Sequence, residues 1–323
     1  MRWLFLLLLA ISLPLDPAAA QAPGKIYRIG ILTHGSVVDP ADSTYQRAVE
    51  NGRLLGLEVG RNVEVHWGAA EGDNSRLPTL ARELVDKHSD VIVAIGDGAA
   101  KAVKDATDQI PVVIVAGDPV ASGLVQSLAR PGGNLTGVVV YGSVADVKRV
   151  EMLAEYLGPG KKIAYLIDAT IGPSAIQKVE QAAASLKLEL VTFRAGGPSD
   201  YDAVFRAMQD AGVSALLFGP SLNFLLHRAD LAARAAAARL PTMCHWREMA
   251  QAGCLLTFGT NLEWVFARVV DYVVRIVGFG QKPGDLAIEQ ASKFELIINL
   301  KTARALGVTI PDGLGARANE VLE

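Results

Sequence analysis

Short apolar runs recur along this chain, each ending in a small Gly- or polar-rich loop and followed by a stretch with helical periodicity. In the first half they are Arg28–His34, Val91–Gly96 and Val112–Gly117; in the second they are Lys162–Asp168, Ala215–Gly219 and Pro241–His245. The fuller pattern predicts strands starting near Ile29, Val63, Val91, Val112 and Leu135, and again near Ile163, Leu188, Ala215, Pro241 and Leu255. Between them, Leu77, Leu80, Ala81, Leu84 and Val85 follow the i, i+3, i+4, i+7, i+8 spacing of a half-buried helix. Asn74 or Ser75 is placed to cap it, and Pro78 falls in its first turn, where a missing N–H costs nothing. Tyr45, Ala48, Val49 and Leu55 mark an earlier helix in the same way. Strand alternating with helix predicts an α/β fold with a doubly wound parallel sheet in each half. Ligands of such sheets bind beyond the carboxyl ends of the strands, so two sheets in one chain predict two lobes facing each other across a cleft.

The lobes are not expected to be consecutive blocks. The first lacks a closing helix until Asn261–Gly278, where Val265, Val269, Tyr272, Val273 and Ile276 stand at helical spacing. The chain then crosses between lobes near Val138–Ser143, Phe258–Asn261 and Ile288–Phe294, and ends with a strand, Glu295–Asn299, and a helix, Leu300–Leu306. This assigns 26–139 plus 259–288 to the N-terminal lobe and 140–258 plus 289–323 to the C-terminal lobe, joined by a three-strand hinge.

Residues 1–20 read as a cleavable export signal: Arg2, an apolar stretch from Trp3 to Leu13, then Ala18-Ala-Ala20. The apolar stretch is too short to span a bilayer, and no Cys follows it, so a freely diffusing periplasmic protein is expected rather than a lipoprotein. A formal net charge of −3, with no cluster of Lys and Arg, gives no footprint for nucleic acid or an anionic membrane. Cys244 and Cys254, the two cysteines of the chain, are free to pair in an oxidising compartment; two buried thiols in neighbouring strands is the other reading. No Cys/His spacing suits a structural metal.

Two stretches resemble a known family closely. Ile288-Glu-Gln-Ala-Ser-Lys-Phe-Glu-Leu-Ile-Ile-Asn-Leu-Lys-Thr-Ala-Arg-Ala-Leu-Gly-Val-Thr-Ile-Pro311 is similar to the C-terminal signature of the ABC transporter substrate-binding proteins that include the tryptophan-binding lipoproteins. Gly117-Asp-Pro-Val-Ala-Ser-Gly-Leu-Val-Gln-Ser-Leu-Ala-Arg-Pro-Gly-Gly-Asn-Leu-Thr-Gly137 is the second match, and Trp246-Arg-Glu with Ala252-Gly253 and Phe258-Gly the third. The resemblance implies a type I periplasmic-binding fold, delivery of a small ligand to ABC permease membrane subunits, and no catalysis. It makes an amino acid, aromatic first, the expected ligand, and a monomer the expected state. His34-Gly-Ser36 and Asp97-Gly98 stand where relatives often carry Pro-Gly and Thr-Pro, so the cleft chemistry has to come from this chain's own residues.

A cleft for a zwitterionic solute needs helix N-termini for the carboxylate and acceptors for the ammonium. Ser36 and the helix opening at Gly98 and Ala99 qualify in the first half; Gly172-Pro-Ser174 and Pro220-Ser221 do so in the second. Ordinary capping explains the same residues. Asp97, Asp118 and Asp168 each end a strand, beside Gly35 and Gly117 in the adjoining loops, and each is equally a routine turn former. His34 ends the first strand. His245 and Trp246 follow a late one with Glu248, the Trp either stacking on a ligand or packing under the hinge. Asn223 opens a helix from which it reaches the cleft. No GxSxG, Walker A or HExxH motif is present, and Gly96-Asp-Gly98 lacks the third glycine of a dinucleotide fingerprint, so no cofactor is expected. A sensory protein feeding a membrane receptor uses the same architecture and is the alternative. An enzyme has only His34 with Asp97 or Asp118 to draw on.

Overall fold

The computed structural model describes residues 24–140, 143–169, 173–291 and 293–323. The expected export signal lies outside the described residues. Ten elements make the first body and its exit: β1 (Tyr27–Thr33), α1 (Ser43–Leu54), β2 (Val63–Ala69), α2 (Leu77–Asp86), β3 (Val91–Ile95), α3 (Asp97–Ala106), β4 (Val112–Ala116), β5 (Leu135–Val139), α4 (Ser143–Leu157) and β6 (Lys162–Asp168). The second body continues with α5 (Pro173–Ser185), β7 (Glu189–Ala195), α6 (Pro198–Asp210), β8 (Ala215–Phe218), α7 (Leu222–Leu226), α8 (Arg228–Ala237), β9 (Thr242–Cys244), α9 (Arg247–Gln251) and β10 (Leu256–Thr260). The chain closes with α10 (Leu262–Val277), β11 (Glu289–Gln290), β12 (Phe294–Asn299), α11 (Leu300–Leu306), α12 (Asp312–Gly315) and β13 (Glu320–Leu322).

The strands form two sheets, ordered β11-β5-β4-β3-β1-β2 and β13-β12-β10-β9-β8-β6-β7. Strand periodicity divides each sheet into two faces. In the first sheet Ile92, Ala94, Ile114 and Ala116 point to α2 and α3, whereas Val91, Val93, Val113 and Val115 point to α10. In the second, Ile163, Tyr165 and Ile167 pack with α4 and α5, and Ala164 and Leu166 pack with α6 and α8. Both sheets are thus covered on both faces, which is the arrangement expected of parallel strands. β12 is the exception: it runs antiparallel to β10, because between these two strands the chain leaves for the first sheet, lays down α10 and β11 there, and returns. β13, pairing parallel with β12 at the edge, was not anticipated.

Three stretches join the sheets side by side. Thr260 Oγ1 donates to Val140 O at 3.2 Å, Ala291 N donates to Val139 O at 3.0 Å, and Asn261 Nδ2 donates to Glu295 Oε1 at 3.0 Å. Phe258 and Phe294 stack at 5.6 Å across the second and third stretches. Gly259 and Thr260 lie in the second sheet and Glu289 and Gln290 in the first. Sheet membership therefore changes after Thr260 and after Gln290. Cys244 and Cys254 are joined in a disulfide, which ties the end of β9 to the approach of β10. Among the described residues no helix is long and apolar enough to cross a membrane.

Candidate functional site

The carboxyl end of β1 faces that of β6, and the two bodies touch there. Gly35 is buried with Leu226 of α7 against it, near enough that an added Cβ would stand 3.0 Å from Leu226 Cδ1. Gly72, at φ +85°, faces the Gly196 carbonyl, 2.9 Å from where its Cβ would be. Asp42, the N-cap of α1, receives Arg228 Nη2 of α8 at 2.9 Å. Partial burial pushes the Asp42 carboxyl up, but Arg228 and the N–H groups of Thr44 and Tyr45 together outweigh it and hold it below the usual range.

His34 leaves β1 directly into this seam. Its Nδ1 meets Asn74 Oδ1 at 2.5 Å, so Nδ1 carries the proton as this amide is placed. Nε2 then faces Asp168 Oδ2 at 3.6 Å, beyond hydrogen-bond range, and is buried without a hydrogen-bond partner. Asp168, 2% exposed at the end of β6, accepts Ser221 Oγ at 2.8 Å. Ser221 in turn caps α7, accepting from Asn223 N at 3.1 Å. Asn223, 4% exposed, donates Nδ2 to Gly196 O. A buried carboxylate and a buried ring nitrogen thus stand on opposite lobes, too far apart to bond and near enough for one donor to serve both.

The other expected residues take varied places. Ser36 donates to Glu71 Oε2 at 2.6 Å. Asp97 opens α3 beside Gly98 and Ala99, and its N-cap, Gly96, has no side chain to consume the amides of that first turn. Asp97 accepts from Gly117 N at 3.0 Å. The crowded strand ends desolvate this carboxyl and raise its pKa, with Asp118 adding repulsion, although the residue still reaches solvent. Asp118 folds back to accept from Ala121 N at 3.0 Å. Pro220 is half-buried. His245 and Trp246 are 3% and 2% exposed in the core of the second body, their rings 5.2 Å apart. Gly172 and the side chain of Ser174 lie outside the described residues.

Four participants were not singled out from the sequence: Asn74, Gly72, Gly196 and the Asp42–Arg228 pair. Asn74 was read as a helix cap. α2 has no side-chain cap; a short 3-10 turn, Asn74–Arg76, precedes it, capped by Asp73 whose side chain accepts from Ser75 N, and the Asn74 amide meets His34. A polar residue adjoining a cap is a weak signal, and the lobe-to-lobe partners carry none.

Comparison with known proteins identifies the family and the fold. The family model described as ABC transporter substrate binding protein matches residues 34–322. A tyrosine-binding protein of Clostridioides difficile is 26% identical over 288 residues, 87% of this chain and 81% of that protein. A conserved domain protein from Vibrio cholerae superposes with a TM-score of 0.80 at 26% identity, covering 92% of this chain and all of that one. An ABC domain from Streptococcus pneumonia in complex with L-Trp has a TM-score of 0.79 at 23% identity, over 92% of this chain and all of that one.

Proposed function

The chain belongs to the ABC transporter substrate binding protein family, and from that premise we propose that it is the periplasmic receptor of an importer, closing its two lobes about an amino acid. The observation that carries the ligand class is the gap between His34 and Asp168. An ammonium placed there donates one N–H to His34 Nε2, which is buried without a hydrogen-bond partner, and another to Asp168 Oδ2, which also accepts from Ser221. The amides opening α3 lie on the same side of the first sheet's strand ends and suit the carboxylate of the same molecule. Because the two acceptors sit on different lobes, the ligand makes its full set of contacts only in the closed form, which makes closure a consequence of binding. An aromatic side chain is the first choice, supported by the tyrosine-binding relative and the L-Trp-bound structural neighbour.

We take residues 26–139 with 259–288, and 140–258 with 289–323, as the lobes, with the crossings between them near Val138–Ser143, Phe258–Asn261 and Ile288–Phe294. We also infer export by a cleaved signal at 1–20, free diffusion of a monomer, and docking of the closed face on permease subunits.

Calorimetric titration of the purified protein with L-tyrosine and L-tryptophan tests this reading. At least one should bind with the wild type. Asp168→Asn keeps an acceptor for Ser221 but removes the charge, so it should weaken that affinity by about tenfold to a hundredfold. Unchanged affinity in Asp168→Asn would remove the assigned role of this carboxylate, and silence from every amino acid would remove the ligand class.

A further inference from the structure

A second space opens beside this cleft. Beneath α1, between it, the outer face of the first sheet and α10, lies an apolar cavity of about 180 Å³. It exists because α1 packs poorly: of its twelve residues only Gly52 is buried, and Ala48 and Gly52, four apart on the face toward the sheet, are too small to fill the space. Ile29 and Ile31 of β1, an interior strand, remain half-buried for the same reason, while Leu32 on the opposite face is wholly buried. An engineered apolar cavity of about 150 Å³ stays dry and takes up benzene, so this space has the size and lining for a ring or branched chain.

The charged residues of its lining, Asp42, Arg228 and Glu248, lie at the lobe seam. Arg228 is already committed: Nη2 to Asp42 and Nη1 to Leu225 O at 2.9 Å. Arg247, the other nearby cation, is committed to Glu320. Glu248 is left over, and its Oε2 is buried with no hydrogen-bond partner. Both nearby guanidiniums are thus bonded to other acceptors, and neither donates to Glu248 Oε2. Of the residues expected at the amino-acid cleft, Ser36 alone lines this cavity, so the two spaces are different.

We propose that the cavity beneath α1 is a second binding site, for a small aromatic or branched aliphatic amine whose apolar body lies under the helix and whose ammonium meets Glu248. Burial raises the pKa of the Glu248 carboxyl despite the Arg228 and Arg247 guanidiniums nearby, and an ammonium at the unpartnered Oε2 would draw it back down. The site is independent of the cleft reading, since neither His34 nor Asp168 lines it.

The test uses the full chain with 2-phenylethylamine and toluene as probes, read by calorimetry and by methyl NMR. Both should bind the wild type and shift the methyl resonances of Val65 and Val269, which line the cavity on opposite sides. Glu248→Gln should weaken 2-phenylethylamine by about tenfold or more while leaving toluene unchanged. Ala48→Phe, which fills the space from α1, should abolish both while leaving any amino acid in the cleft bound. Loss of 2-phenylethylamine binding in Asp168→Asn would move the amine to the cleft and overturn the proposal. So would absence of the Val65 and Val269 shifts in the wild type, a result that needs no variant to fold.

Discussion

His245 shows how much a single side chain in this protein is governed by its neighbours. The ring is fully enclosed, and its Nε2 stands 3.7 Å from Asp146 Oδ1, so both ring nitrogens are buried without hydrogen-bond partners. Burial first, and then the Arg149 guanidinium, push its pKa down to about 4; Asp146 opposes them and loses. Arg149 also bonds Asp146 and donates Nη1 to Phe258 O at 2.7 Å, so it binds α4 to the start of the second crossing. The sign of the pH effect follows. An unfolded His245 takes up a proton below about pH 6.5, and the folded one refuses it until about pH 4. Stability is therefore fully present above pH 6.5 and falls through that window by on the order of 3 kcal/mol, levelling off below it. Urea midpoints across the window should show this slope, and His245→Leu, which removes the ionisable ring from an apolar core, should flatten it. An undiminished slope in the variant would assign it to other groups. At this scale the sequence was half legible. His34, Asp168 and Ser221 were readable as strand-end and cap residues, and the structure gathers them at one seam. Nothing in a single sequence could tell that His34 and Asp168, from different lobes, would stand 3.6 Å apart, or that Asn74 would sit in a 3-10 turn ahead of α2 and meet His34 rather than cap the helix.

Among the elements, α1 and α10 make the sharpest contrast, and the contrast was visible in their residues. α10 carries Leu262, Val265, Val269, Tyr272, Val273, Val274 and Ile276 into the core. It is capped by Asn261, whose side chain accepts from Trp264 N at 2.9 Å. α1 has Asp42 as its cap but sends almost nothing inward, and an ion pair, Arg47 to Glu263 at 2.6 Å, fastens its exposed side to α10. A surface ion pair contributes about 0–1 kcal/mol, far less than a packed apolar stripe. Local opening of α1 should thus be cheap, and hydrogen exchange should find its amides exchanging at least about tenfold faster than those of α10. Equal protection would mean that α1 packs more tightly than its burial indicates. The same logic explains what was legible of the fold. Strands and helices with strong periodicity, such as β3, β4, α2 and α10, were placed from pattern alone. β12 was found but not its antiparallel direction, because direction depends on where the chain has travelled in between. β13 is too short, at three residues, to carry a period.

For the whole molecule, the proposed closure predicts that small residues at the seam limit how closely the lobes approach, and Gly72 is the residue that tests it. Gly72 sits on the first lobe at φ +85°, facing the Gly196 carbonyl of the second, and a Cβ there would stand 2.9 Å from the oxygen. Two backbones meeting across a seam leave no flexible side chain to yield, so the lobes themselves must part. Gly72→Ala also carries the ordinary strain of a left-handed conformation, about 1 kcal/mol. Gly60 separates these effects: it has φ +82° and nothing within 4 Å of its Cβ position. Gly60→Ala and Gly72→Ala should therefore lose similar stability in denaturant, while only Gly72→Ala disfavours closure. Since apparent affinity scales with the fraction of molecules able to close, its affinity for a cleft ligand should fall by about tenfold, and small-angle scattering with ligand should report a larger radius of gyration than wild type. Equal affinities in the two alanine variants would show that contact at Gly72 does not limit closure and that the lobes stop against another pair, of which Asp42 and Arg228 are the nearest candidates.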